Sequence, residues 1–151
     1  MDIRLAQPSD AGALLEYVQE RLPELNVGDG EFRVKTWADE YNEIGRFLAS
    51  RNSLFVAAFV DGKVVGTCTL TGDGIRHGEE RKAREHIALL GISVHPDHRG
   101  SGIGSKLLQY AFEQARRTTV IRRIEATNYE DNPQARWFLI NNGFMSEGIM
   151  R

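Results

Sequence analysis

Residues 87–112 read IALLGISVHPDHRGSGIGSKLLQYAF, and this stretch decides the fold. Its opening, Ile87 to Val94, is a near-continuous apolar run, the pattern expected of a strand covered on both faces. Gly100, Gly102 and Gly104 then alternate through a tight turn. Beyond them Ile103, Leu107, Leu108, Ala111, Phe112 and Ala115 recur at helical spacing, so Gly102 or Ser105 opens a helix of about three to four turns. A strand, a glycine-rich turn and a helix in succession place the chain in the α/β class.

Upstream, Leu54 to Val60 and Lys63 to Leu70 are β-rich runs separated by Asp61-Gly62 alone. Asp-Gly supplies the positive φ angles of a two-residue type I′ turn, so the runs form an antiparallel hairpin. Between Thr71 and Glu85 the composition turns to Gly, Arg, Lys and Glu, the chemistry of a solvated loop. Asp2 to Leu5 is a short strand, and Leu14, Leu15, Val18 and Leu22 mark a first helix capped by Ser9 or Asp10. Leu22 to Lys35, with Pro23, Gly28 and Gly30, reads as a loop placed to cover a site. Thr36 and Asp39 form a capping box for a second helix, with Trp37, Tyr41, Ile44, Phe47 and Leu48 on its core face. Downstream come a strand at Val120 to Thr127, a helix at Pro133 to Asn142 ended by Gly143, and a short strand at Phe144 to Met150. The order is βααβββαβαβ: one α/β domain over residues 1–151, with a mixed central sheet flanked by helices.

The chain's 19 Lys and Arg and 21 Asp and Glu leave a formal charge of -2, with no global positive field for nucleic acid or an anionic membrane. No stretch approaches the ~18 apolar residues of a membrane span, and the reading is of a soluble, cytoplasmic protein. The single cysteine, Cys68, falls in an apolar run and serves as a small buried hydrophobe. His95 and His98 flank Pro96-Asp97, too sparse a set for a metal site, and none is expected.

The alternating glycines free successive backbone N–H groups to converge on an anion, and the helix dipole adds to the attraction. A pyrophosphate is the natural guest, with Arg99 beside the turn as a fixed cation and Ser105 offering a hydroxyl. Two familiar phosphate loops fail on spacing. A Walker loop needs Gly-Lys-Ser/Thr where this chain has Gly104-Ser105-Lys106, and a dinucleotide fingerprint needs Gly where Ser105 stands.

Val94-His95-Pro96-Asp97-His98-Arg99-Gly100-Ser101-Gly102-Ile103-Gly104 resembles the acyl-CoA-binding motif of the GNAT superfamily of N-acetyltransferases. Asn132, Ala135, Gly143 and Phe144 match a second family block in the right order. The resemblance implies acetyl-CoA as co-substrate, its pantetheine arm pairing like an extra strand with Ile92, Ser93 and Val94. It places the pyrophosphate on Arg99, Gly100, Ser101, Gly102, Ile103, Gly104 and Ser105, and a side-chain contact at Asn132, which also suits an N-cap. A backbone N–H there, that of Ile92, would polarise the thioester carbonyl. The acceptor implied is a small-molecule or peptide amine. Relatives add one more strand after Gly-Phe that this chain lacks; either Phe144 to Met150 pairs with Val120 to Thr127, or a second subunit covers the open edge in a homodimer.

Two positions depart from the family. Leu139 stands where many relatives carry the Tyr that protonates the departing thiolate, and Leu89 where they carry a Glu base. Glu85, His86 and Tyr129 are the substitute candidates for proton transfer. Without a strong base the acceptor must bring its own neutral fraction: at pH 7.5 an α-amine of pKa about 7.8 is roughly one third neutral, a lysine amine only about 0.1%. The expected activity is acetyl transfer to a low-pKa amine; the rival is an acyl-CoA-binding sensor or scaffold that turns nothing over.

Overall fold

The computed structural model describes residues 1–25, 36–72, 84–127 and 132–148. Strands β1 (Asp2–Leu5), β2 (Leu54–Val60), β3 (Lys63–Thr71), β4 (Ile87–Val94) and β5 (Arg123–Glu125) form one sheet in the order β1-β2-β3-β4-β5. The first four pair antiparallel and β4 pairs β5 in parallel, so the sheet is mixed as expected. Asp61 and Gly62 take φ of 51° and 78°, the geometry of the type I′ hairpin between β2 and β3.

Helix α3 (Ile103–Thr118) covers one face of the sheet, burying Leu107, Leu108 and Ala111 against Val56, Val65, Cys68, Leu70 and Ala88. Cys68 is fully enclosed, and burial pushes its thiol up to about 12, so it is inert at neutral pH. Helices α1 (Ala11–Leu25) and α2 (Trp37–Ala49) cover the other face, where Leu14, Tyr17 and Ile44 meet Ala57, Phe59 and Val64. Helix α4 (Pro133–Asn141) follows β5. Among the described residues no helix is long and apolar enough to cross a membrane.

Several local expectations are corrected. Helix α1 runs on to Leu25, past the expected start of the loop, and its buried stripe is Ala11, Leu14, Tyr17 and Arg21. The stripe is rotated from the Leu14, Leu15, Val18, Leu22 reading because Tyr17 and Arg21 find polar partners inside. Thr36 and Asp39 do form the capping box of α2, the Asp39 N–H donating to Thr36 Oγ1 at 3.1 Å and the Thr36 N–H to Asp39 Oδ2 at 2.9 Å. The buried face of α2 is Glu40, Ile44 and Phe47, whereas Trp37 (53% exposed) and Tyr41 (43%) stack on each other at 5.0 Å on the outside.

Strand β4 is not covered on both faces: Ala88 is buried, Gly91 exposed, and the rest half-buried. Strand β5 is three residues long rather than spanning Val120 to Thr127. At the C-terminus Phe144–Gly148 joins no strand; the expected strand there is replaced by side-chain anchoring. Phe144 packs on Phe112 at 6.1 Å, and Arg123 of β5 donates to Glu147 at 2.7 Å, which draws the segment beside β5 without a backbone ladder.

Asp10 does not cap α1 directly. Its carboxylate accepts from Arg4 Nη1 at 2.7 Å, from Arg4 Nη2 at 2.9 Å and from the Gln7 N–H at 2.7 Å, tying β1 to the turn before α1. Hydrogen bonding from Arg4 holds its pKa below the ordinary value against the opposing effect of burial. A depressed carboxylate pKa gives stability that is fully present above the unfolded value of about 3.9 and is lost as pH falls through the lower folded value. Asp10→Asn is therefore expected to cost about 1.5–3 kcal/mol at pH 7. In urea titrations the difference from wild type should shrink as the pH is lowered below about 4.

Candidate functional site

The site lies where β4 and β5 separate. Their pairing covers only Ile87–Leu89 against Arg123–Glu125. At the paired end, the His86 carbonyl accepts the N–H groups of Arg122 and Arg123 at 2.8 and 2.9 Å; at the far end, the His95 N–H donates to Val65 O at 2.8 Å on the β3 side. Peptide groups alternate along a strand, so Leu90, Ile92 and Val94 turn theirs toward the opening edge that β5 has left. No strand among the described residues pairs with that edge beyond Leu89.

A cleft of about 830 Å³ occupies the gap. Its walls include Leu90, Gly91, Ile92, Ser93 and Val94 from β4, the turn and first residues of α3, Ala126 and Thr127 after β5, and α4. Of the residues expected to hold the cofactor, Ile92, Ser93, Val94, Arg99, Gly100, Gly102, Ile103, Gly104, Ser105 and Asn132 all line it. Ser101 does not: its hydroxyl donates to the His98 carbonyl at 2.7 Å and braces the turn from behind.

Gly100 and Gly102 both adopt φ of +82°, and a Cβ at either would meet nothing within 4 Å. Their role is conformational: both hold left-handed backbone, which glycine adopts without steric cost, immediately before the N-terminus of α3. Gly104 serves close approach instead: a Cβ there would sit 3.2 Å from the Phe138 ring, which would have to shift slightly to admit it. Arg99 keeps its Nε on the Val94 carbonyl at 3.1 Å. The Ser105 hydroxyl accepts from Asn142 Nδ2 at 3.4 Å, and Asn132 Oδ1 accepts from the Ala135 N–H at 3.1 Å, so Asn132 caps α4 while facing the cleft.

The proton-transfer candidates fare differently. Glu85 is ion-paired with Arg51, and His86 is an exposed residue at the entry of β4. Six strand steps, about 20 Å at strand rise, separate His86 from Ile92, so neither side chain reaches Ile92 directly. Tyr129 lies outside the described residues. Leu139 lines the cleft and presents an apolar side chain there. His95 Nδ1 accepts from the Asp97 N–H at 3.1 Å and its Nε2 lies 3.5 Å from Glu20; among the described residues no group of three or more His, Cys, Asp or Glu is arranged to hold a metal ion.

Sequence reading missed Arg21 and Phe138 in the cleft wall and Tyr17 directly behind it. The available signal was the spacing of Leu14, Tyr17 and Arg21, which lie on one helical face.

The sequence profile of the acetyltransferase (GNAT) family matches residues 13–144. The chain belongs to the GNAT family. It is 31% identical over 93 residues to the L-amino acid N-acetyltransferase AaaT of Escherichia coli (strain K12), covering 62% of this chain and 54% of that protein. The chain thus spans about half the length of this curated relative. A GNAT-family acetyltransferase from Streptococcus pneumoniae superposes with a TM-score of 0.83 at 26% identity, over 97% of this chain and 85% of that one. The putative acetyltransferase yncA of Salmonella typhimurium, solved with acetyl-CoA, has a TM-score of 0.79 at 19% identity, over 98% of this chain and 81% of that one, a likeness of fold.

Proposed function

We propose that the chain is an acetyl-CoA-dependent N-acetyltransferase acting on a primary amine of low pKa, a small molecule or a peptide N-terminus. One observation carries this: the edge of β4 beyond Leu89, which pairs with no strand among the described residues, runs straight into a left-handed glycine turn and helix N-terminus, so one continuous cleft suits the role of a strand-like partner for pantetheine amides and an anion cradle for a pyrophosphate. In this reading the Ile92 N–H polarises the thioester carbonyl. The amine nitrogen forms the new C–N bond, the C–S bond breaks, CoA leaves as a thiolate and the amine's proton passes to solvent. The absence of a carboxylate at Leu89 favours amines that are partly neutral unaided, and the name of the AaaT relative is in keeping with an α-amine acceptor.

Leu139 in the cleft wall gives the second reading its footing: a domain that binds acyl-CoA without turnover. Two measurements separate the readings. CoA at a hundred times its Kd should stabilise the native protein by about 2.7 kcal/mol, read as a rise in Tm. Thiol release from acetyl-CoA over a panel of amines should be fastest with N-terminal α-amines and near background with lysine side chains. A Tm rise with no release above background for any amine supports the sensor, and no Tm rise at millimolar CoA removes both readings.

A further inference from the structure

Arg21 is 6% exposed, yet it reaches the cleft from α1. Its Nη1 donates to the Val94 carbonyl at 2.6 Å and to Tyr17 Oη at 3.1 Å, and its guanidinium lies 5.3 Å from the Tyr17 ring centre. Tyr17, itself 4% exposed, places its hydroxyl 2.8 Å from Ser93 Oγ, which lies 3.1 Å from Thr67 Oγ1 on β3. Direction follows from the inventory of donors. A guanidinium cannot accept, so the Tyr17 oxygen receives from Arg21, while in the Tyr17–Ser93 pair either hydroxyl can donate. A single polar chain thus runs from α1 through the cofactor-facing end of β4 to β3.

The Val94 carbonyl has two lone pairs, and two guanidinium donors take them: Arg21 from α1 and Arg99 from the glycine turn. This carbonyl is the last group on the edge of β4 beyond Leu89 before the anion cradle begins. Fixing it fixes the peptide plane that joins the pantetheine-facing edge to the pyrophosphate-facing turn. A cation held in the cleft wall also raises the potential where an anion would sit.

Resting on the acetyl-CoA reading above, we propose that Arg21 is a positioning residue for the cofactor, seating the end of β4 through the Val94 carbonyl and the Tyr17–Ser93 hydroxyl pair. A purely structural role predicts something different. Removing Arg21 alone leaves Val94 O with Arg99 and Tyr17 Oη with Ser93 Oγ, so a purely structural role predicts a loss of stability with no loss of affinity.

The test is calorimetric titration with CoA, with melting temperatures alongside, on full-length wild type, Arg21→Met, Arg21→Lys and Tyr17→Phe. Arg21→Met should weaken CoA binding roughly ten-fold, the scale of one lost charge-assisted hydrogen bond, together with a modest fall in Tm as Val94 O and Tyr17 Oη each lose a donor. Arg21→Lys should recover part of the affinity, because an ammonium reaches Val94 O but lacks the fork that holds Tyr17 as well. Tyr17→Phe should lose about two- to five-fold, a neutral bond's share. In turnover the loss should appear in KM for acetyl-CoA and leave kcat nearly unchanged. A folded Arg21→Met with wild-type affinity overturns the proposal, as does a lowered Tm with unchanged affinity. Should Arg21→Met not fold, Arg21→Lys and Tyr17→Phe decide alone, and wild-type affinity in both overturns it. A wild-type protein that does not bind CoA overturns the acetyl-CoA reading itself, an outcome visible before any variant is compared.

Discussion

Gly102→Asp is expected to weaken CoA binding by roughly 100- to 1000-fold while leaving the fold intact. Gly102 is the N-cap of α3 and sits at φ +82° with open space around the position a Cβ would take. Steric exclusion is therefore not the cause. Left-handed backbone costs an L-residue about 1–2 kcal/mol, less for Asp, and a carboxylate near the helix N-terminus returns about 0.3–1 kcal/mol through the dipole. The net cost is small, so the native state should survive. That N-terminus is the one an anion needs, however, and a carboxylate about 4 Å from a phosphate repels it by roughly 4 kcal/mol at an effective dielectric near 20. Calorimetric titration with CoA reads the loss, and circular dichroism confirms the fold. Gly102→Ala serves as the comparison: it carries the backbone strain without the charge, and its affinity should fall only a few-fold. If both variants bind CoA as wild type does, the anion cradle is not at this turn.

What was legible in the sequence was local. The Asp61-Gly62 hairpin, the Thr36–Asp39 capping box and the glycine turn each write their geometry into two to six adjacent residues, and all three stand in the structure where their residue types put them. The polar chain behind the cleft is of another kind. Tyr17 meets Ser93 across 76 positions and Arg21 meets Val94 across 73, and no short-range pattern encodes such a meeting. An arginine on a helix reads as a solvent residue until a carbonyl is found beneath it. The same limit explains Glu85, whose partner Arg51 is 34 residues away and holds it at the entry of β4 rather than near the cleft. Apolar periodicity misled in the opposite sense for Trp37 and Tyr41, because two aromatic side chains at i and i+4 can satisfy each other on the outside of a helix as well as in a core. Of the strand expected over Phe144 to Met150, the described part, residues 144–148, is held instead by Phe144 on Phe112 and Glu147 on Arg123, and residues 149 and 150 lie outside the described residues.

Leu139→Tyr should raise kcat roughly ten-fold if the chain turns acetyl-CoA over. Leu139 is half-buried in the wall of the cleft, on the α4 turn that follows Phe138, so a larger ring has room to extend into the open space rather than into the core. The gain is bounded by the leaving group. An alkyl thiol has a pKa near 8.5, so its thiolate departs tolerably at neutral pH, and a positioned acid adds less here than the 10²–10⁴-fold it contributes for poorer leaving groups. KM for acetyl-CoA should change little, because the hydroxyl acts on charge that develops only as the C–S bond breaks. The pH profile carries the sharper sign. With no base at Leu89, the wild-type rate should climb with pH as the acceptor amine loses its proton in solution, and keep climbing until the amine is fully neutral. In Leu139→Tyr the same ascent should be followed by a decline near pH 10, where the new phenol ionises and can no longer donate. A variant that folds, keeps its affinity for CoA and shows neither the gain nor the descending limb would mean that the sulfur does not pass beside α4. A wild-type plateau already reached by pH 6 would mean that the protein supplies a base of its own.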